Sequence, residues 1–219
     1  MCSGRVDLSF VLRAFANGMD GVFIGGCHLN ECHYVTDGNH HAIAMVLLCK
    51  KLMKLIGLNP ERLRIEGVSA GEGIRFAEIM NEFAGTIKKL GPLGGGEGVA
   101  APILKLRLNA AKKLVPYLRL VEGERLRVRL KNEEEYKQFY ASVEMDRLFT
   151  ELVADPLAVS EILLLLEEKP LSTREISELL GMNSSETARH INRSSKQGFI
   201  RYDESSRSYA LARHAVGTC

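Results

Sequence analysis

The chain has 219 residues, 46% of them hydrophobic and 26% charged, enough for one large domain or two small ones with a packed core. Its 29 basic and 27 acidic side chains leave a net charge of +2, too even to mark the whole chain for nucleic acid or an anionic membrane. No run approaches the roughly 18 apolar residues of a membrane span, and "MCSGRVD" lacks a signal peptide's apolar core, so a cytoplasmic protein with no membrane partner is expected.

In chain order, Leu8, Val11, Leu12 and Phe15 fall at helical spacing between Asp7 and Asn17, and Gly18 ends the segment. "GVFIGG" (21–26) reads as a strand closed by glycines and leads into the loop "CHLNECHY". A long amphipathic helix follows from about Asn39 to Ile56, with "GLNP" as its stop, and "RLRIEGV" (62–68) reads as a second strand. Ser69, with Glu72 at the capping-box position, predicts a helix from 69 to about Leu90. This alternation predicts parallel strands joined by crossover helices: a small α/β, flavodoxin-like parallel-sheet domain over residues 1–91.

Residues 92–102, inside "GPLGGGEGVAAP", read as a Gly/Pro linker. A mostly helical connecting region is expected over 103–154: a helix at 103–115, a strand-like "ERLRVRL" (124–130), and helix from Glu133 to about Val153. It carries no catalytic motif, and its alternating charges read as a solvated face. Residues 155–213 predict a winged helix-turn-helix. "DPLAVSEILLLLEEKP", "LSTREISELLGM" (Ser172 and Glu175 forming a capping box) and "NSSETARHINRSSKQGFI" are its helices, and "RYDESSRSYAL" is its hairpin.

The chemistry concentrates in thiols. In open parallel sheets ligands bind beyond the carboxyl ends of the strands, where Cys27 and Cys32 follow Gly25 and Gly26; Cys2 precedes the first helix, where an earlier strand would end. The C-x4-C spacing suits two thiolates of an iron–sulfur cluster. His28, His33, His40 and His41 crowd the same region, so mixed thiol–imidazole zinc and a ligand-free polar loop stand as alternatives. Cys49, among Leu47, Leu48 and Leu52, reads as a core residue, and Cys219 as a tail thiol with no partner.

"MCSGRVD", "GMDGVFIGGCHLNECHY" and "LRIEGVSAGEGIRFAEIMNEF" with "LGP" resemble the delta-subunit family of methyl-viologen-reducing (F420-non-reducing) hydrogenase over residues 1–92. The resemblance implies a [2Fe–2S] cluster with Cys2, Cys27 and Cys32 as ligands. It also implies a non-catalytic relay between a hydrogenase or formate dehydrogenase and the flavin-containing subunit of heterodisulfide reductase. Members carry a first strand and a cysteine-rich segment ahead of the "CSGRV" motif. A fourth ligand and a neighbouring strand are therefore expected from a missing segment or a partner chain. His28, His33 and Tyr34 would surround the cluster and tune its potential through hydrogen bonds; plain loop packing is the alternative.

The resemblance does not reach the winged helix, whose third helix offers Ser184, Ser185, Arg189, His190, Arg193 and Lys196. Arg189, Arg193 and Lys196 recur at helical steps on one face, and Arg201 and Arg207 lie on the wing, where DNA phosphates or a partner protein would be met. A redox-responsive DNA-binding regulator, sensing through the cluster and reading through the winged helix, is therefore the competing reading.

Overall fold

The computed structural model describes residues 2–35 and 37–212. Cys219 and residue 213, the last of the expected winged-helix domain, lie outside the described residues. The chain divides into two compact units, one ending at Ala154 and the other beginning at Asp155.

The first unit is mostly helical around a small parallel sheet. A 3-10 turn (Ser3–Arg5) leads into α1 (Leu8–Ala16), capped by the Asp7 carboxylate on the Ser9 N–H. Strand β1 (Val22–Gly26) pairs in parallel with β2 (Leu63–Gly67) in the register Val22 to Leu63 and Gly26 to Gly67. Both strands therefore end side by side, and the loops that leave them start as neighbours.

Helix α2 (Asn39–Ile56) joins the strands and forms the centre of the core. Ala42, Met45, Val46, Cys49, Leu52, Met53 and Ile56 are all buried, as expected of a helix covered on nearly every side. Gly57, at φ 84°, ends it in the left-handed conformation. Helix α3 (Gly73–Leu90) buries only Ile79 and Phe83.

The helix expected from Ser69 starts at Gly73. Only half of the capping box forms: the Ser69 N–H donates to the Glu72 carboxylate at 2.7 Å, but the Ser69 side chain caps nothing. Residues 69–72 make a turn instead, and His28 takes up the same carboxylate.

The segment 92–102 is bound to the unit. The guanidinium of Arg62, 1% exposed, donates to the Glu97 carboxylate and to the carbonyls of Asp20, Leu90, Gly91 and Pro92. Helix α4 (Ala101–Val121) runs past the expected end, with Pro116 inside it, and packs on α1.

The strand expected at 124–130 is absent. Glu122–Leu126 form a π-helical turn that Arg127 leaves in an extended conformation, and 127–130 lie outside any sheet of the described residues. Side chains satisfy this backbone instead: Tyr140 donates its hydroxyl to the Leu126 carbonyl, and the Leu130 N–H donates to the Tyr136 hydroxyl. The single helix expected from Glu133 is broken at Ser142 into α5 (Glu133–Tyr140) and α6 (Val143–Phe149), because Ser142 caps the second; a π-helical turn (Thr150–Ala154) follows.

The second unit is the expected winged helix: α7 (Asp155–Glu168), α8 (Thr173–Leu180), α9 (Ser184–Lys196), and the antiparallel hairpin β3 (Ile200–Asp203) and β4 (Ser208–Leu211). The Ser172–Glu175 capping box is complete, and Gly181, at φ 67°, turns the chain between α8 and α9. Leu157, Ile162, Leu166, Leu171, Ile176, Leu180, Ile191 and Ile200 fill the core.

Candidate metal centre

The aligned ends of β1 and β2 open into a cleft of about 590 Å³. Cys2, Cys27 and Cys32 all line it, together with Ser3, His33, Tyr34, Glu72 and Phe76. Cys2 arrives on the 3-10 turn before α1, Cys27 leaves β1, and Cys32 returns five residues later ahead of α2. Cys2 Sγ and Cys32 Sγ are 3.5 Å apart. Cys27 is exposed, Cys2 half-buried and Cys32 buried.

Close backbone packing holds these loops. A Cβ on Gly38 would fall 2.2 Å from Cys32 Sγ, and one on Gly4 would fall 2.2 Å from the Asp37 carbonyl oxygen, so neither position admits a side chain without movement. Burial pushes the Cys32 thiol up. The N–H groups of Tyr34 and Asn39, with the Cys2 and Cys27 side chains, outweigh that and hold it below its ordinary range. The Asn39 amide donates to the Cys27 and His28 carbonyls, while its Oδ1 is buried without a partner.

Three soft sulfur donors around a roomy, solvent-open cleft fit an iron–sulfur group at three of its four ligand positions. Among the described residues no three Cys, His, Asp or Glu side chains close around one point as the ligands of a single ion would. Three of the four imidazoles considered for zinc are bonded elsewhere: His28 to Glu72, His40 to Tyr136 and Asn30, His41 to the Gly4 carbonyl; His33 alone lines the cleft with the thiols. Cys49 is fully buried in α2, and burial pushes its thiol up to about 12, as for an inert core residue.

His28 turns its Nε2 to Glu72 at 2.6 Å, and the Ser69 N–H and the His28 ring hold that carboxyl at about 2. The His33 and Tyr34 rings meet edge to face, 5.2 Å apart, on the cleft wall. Sequence reading missed Glu72, which it assigned to helix capping, and Asn39, which reads as an ordinary first-turn residue.

On the second unit, Arg189, Arg193 and Lys196 share the exposed face of α9 with Ser185 and Asn192, and Arg201 and Arg207 are exposed on the hairpin. His190, offered by the same helix, is instead buried at 1% exposure, 3.8 Å from Asp155. Asp155 also engages Arg189, at 3.1 Å, and Arg193, at 4.0 Å. Among the described residues, no helix is long and apolar enough to cross a membrane.

Residues 1–91 match the family model described as methyl-viologen-reducing hydrogenase, delta subunit, and residues 158–202 match that of the bacterial regulatory protein arsR family. The iron-sulfur subunit of an F420-non-reducing hydrogenase from Archaeoglobus profundus is 52% identical over 91 residues, 42% of this chain and 66% of that protein. The corresponding vhu iron-sulfur subunit of Methanopyrus kandleri is 38% identical over 92 residues, 42% of this chain and 69% of its own. A subunit of the ferredoxin:CoB-CoM heterodisulfide reductase of Methanosarcina mazei is 44% identical over 94 residues, 43% of this chain but 12% of that protein. The chain thus spans about two thirds of the two hydrogenase relatives and a small part of the reductase relative.

Proposed function

The chain belongs, through residues 1–91, to the delta-subunit family of methyl-viologen-reducing hydrogenase, and from that premise we propose that it is a non-catalytic, cytoplasmic electron-transfer subunit. It carries a [2Fe–2S] cluster on Cys2, Cys27, Cys32 and a fourth ligand from outside the described residues. It relays electrons between a hydrogenase or formate dehydrogenase and a flavin-containing subunit of the heterodisulfide reductase type. The observation that carries this reading is the gathering of three thiols at the shared carboxyl end of β1 and β2, with two sulfurs 3.5 Å apart. When bound, the cluster supplies one-electron chemistry. Glu72, which holds His28, and the His33–Tyr34 pair line the cleft beside the thiols and supply polar groups there. A partner chain adding a strand beside the two-stranded sheet would complete both the flavodoxin-like sheet and the ligand set.

Iron and acid-labile sulfide, measured with the visible spectrum on protein purified without oxygen, test this. About two of each per chain, with absorption that bleaches on reduction, are expected; zinc, or no metal in the presence of its partner proteins, would overturn it.

The arsR-family match and the basic face of α9 favour a second reading, in which the winged helix grips duplex DNA under control of the cluster. Duplex binding that weakens steeply with salt supports that reading. A flavoprotein complex that survives high salt supports the relay.

A further inference from the structure

Residues 92–157 are covered by neither family model, yet within the first unit they reach the cysteine loops at several points. Asn30, between Cys27 and Cys32, stands at φ 70°, in the left-handed region that asparagine adopts more readily than other non-glycine residues. Its amide donates to the Lys131 carbonyl at 3.3 Å, and its Oδ1 accepts from His40 Nε2 at 3.0 Å. With that proton placed, His40 Nδ1 accepts from the Tyr136 hydroxyl at 3.1 Å, and the hydroxyl in turn accepts from the Leu130 N–H.

A second chain of bonds reaches Cys2. Glu122, 5% exposed, binds Arg127 through both oxygens, at 3.1 and 3.0 Å. Arg127 Nη2 donates to His41 Nε2 at 3.0 Å, and His41 Nδ1 donates to the Gly4 carbonyl at 2.9 Å. The Gly4 N–H donates to Cys2 Sγ at 3.4 Å. Glu122 opens the π-helical turn and Arg127 follows it, so this local irregularity sets where the two side chains leave the backbone.

We propose that residues 122–136 are a brace that positions the cysteine loops: Glu122 and Arg127 set the Cys2 turn through His41, and Tyr136 sets the Cys27–Cys32 loop through His40 and Asn30. These are positioning residues. The brace takes its purpose from the cluster reading, but its existence rests on the hydrogen bonds alone. Through it the connecting region holds thiols and N–H···S contacts in the geometry that fixes a cluster's potential.

The test uses the full chain in two forms. In the reduced, cluster-free form, maleimide labelling with peptide mapping follows each thiol. Glu122→Gln is expected to speed labelling of Cys2, and Tyr136→Phe that of Cys32, roughly tenfold, as loss of one positioning hydrogen bond eases local opening. Asp146→Asn, which breaks the Lys51 ion pair away from the cysteine loops, serves as the control and is expected to label as wild type. In the cluster-loaded form, Glu122→Gln and Tyr136→Phe are expected to shift the reduction potential and the electron paramagnetic resonance signal at unchanged iron content. Wild-type labelling and potential in both variants would overturn the brace. A wild-type chain that takes up no cluster even with its partner proteins present, while its variants label as expected, would overturn the relay reading and leave the brace standing.

Discussion

Arg62 shows how much one side chain can settle. Five bonds use its whole guanidinium, and they close the turn from Leu90 to Glu97 onto the amino end of β2. Arg62→Met leaves the Glu97 carboxylate buried without its countercharge and takes a donor from four carbonyls, of which Pro92 keeps the Gly95 N–H. A loss of about 3–5 kcal/mol is expected for the first unit in urea unfolding, and adding Glu97→Gln should restore part of it by removing the stranded charge. Glu122 makes a pH prediction. Burial pushes its carboxyl up, but the His41 ring, 3.5 Å away, and the two-pronged Arg127 guanidinium outweigh that and hold it at about 2, below the ordinary 4.5. A depressed carboxyl stabilises the fold above its unfolded value and loses that contribution as pH falls towards its folded value. Urea midpoints of the first unit should therefore drop between about pH 4.5 and pH 2, and Glu122→Gln should flatten the drop. Cys27 and Cys32 were legible as candidates because they follow strand-closing glycines, and Cys2 because it stands where an earlier strand would end. The brace was not, because Tyr136 lies 96 residues from His40 and Arg127 86 from His41, and no local periodicity records such a pairing.

Elements were legible where local chemistry and packing agree. Helix α2 keeps its expected bounds because Gly38 and Gly57 flank an apolar run that the core surrounds. The segment 124–130 has the alternation of a strand, but a strand also needs a partner edge, and the hydroxyls of Tyr136 and Tyr140 satisfy backbone groups there instead. At Gly57 the positive φ and the Val99 methyl, which would lie 2.5 Å from an added Cβ, both oppose a side chain. Gly57→Ala is expected to cost about 1–2 kcal/mol, read from the urea midpoint. On α9 the basic face was legible from its spacing, but its neutralisation was not: Asp155, at the start of α7, engages Arg189 and Arg193 across the winged helix. Asp155→Asn should release both. If this face meets phosphates, duplex affinity should rise and the log–log salt slope should steepen by about one to two. An unchanged slope would show that duplex binding does not use α9.

At the scale of the molecule, the chain joins a thiol-bearing unit to a winged helix, and each unit matches a different family. The two readings part at the question of whether a change at the thiols is felt at α9. Cys27 is the thiol with which to ask it, because it is exposed and its loss leaves the buried packing of Cys32 intact. Under the relay reading, Cys27→Ser removes iron, colour and reversible reduction. It leaves the melting of the winged helix and its salt-dependent affinity for duplex DNA at wild-type values, because electrons leave the cleft through a protein partner and not through the helices of the second unit. Under the regulator reading, the cluster must bias a winged-helix equilibrium, and a state that reads DNA differently by tenfold requires about 1.4 kcal/mol of coupling. Cys27→Ser would then change duplex affinity by at least that factor between oxidised and reduced wild type and the variant. Titrating a duplex with all three forms at one fixed salt concentration reads this directly. Equal affinities are the expected result, since the match that shows the family covers the thiol unit and Asp155 engages two of the three basic side chains on the face of α9.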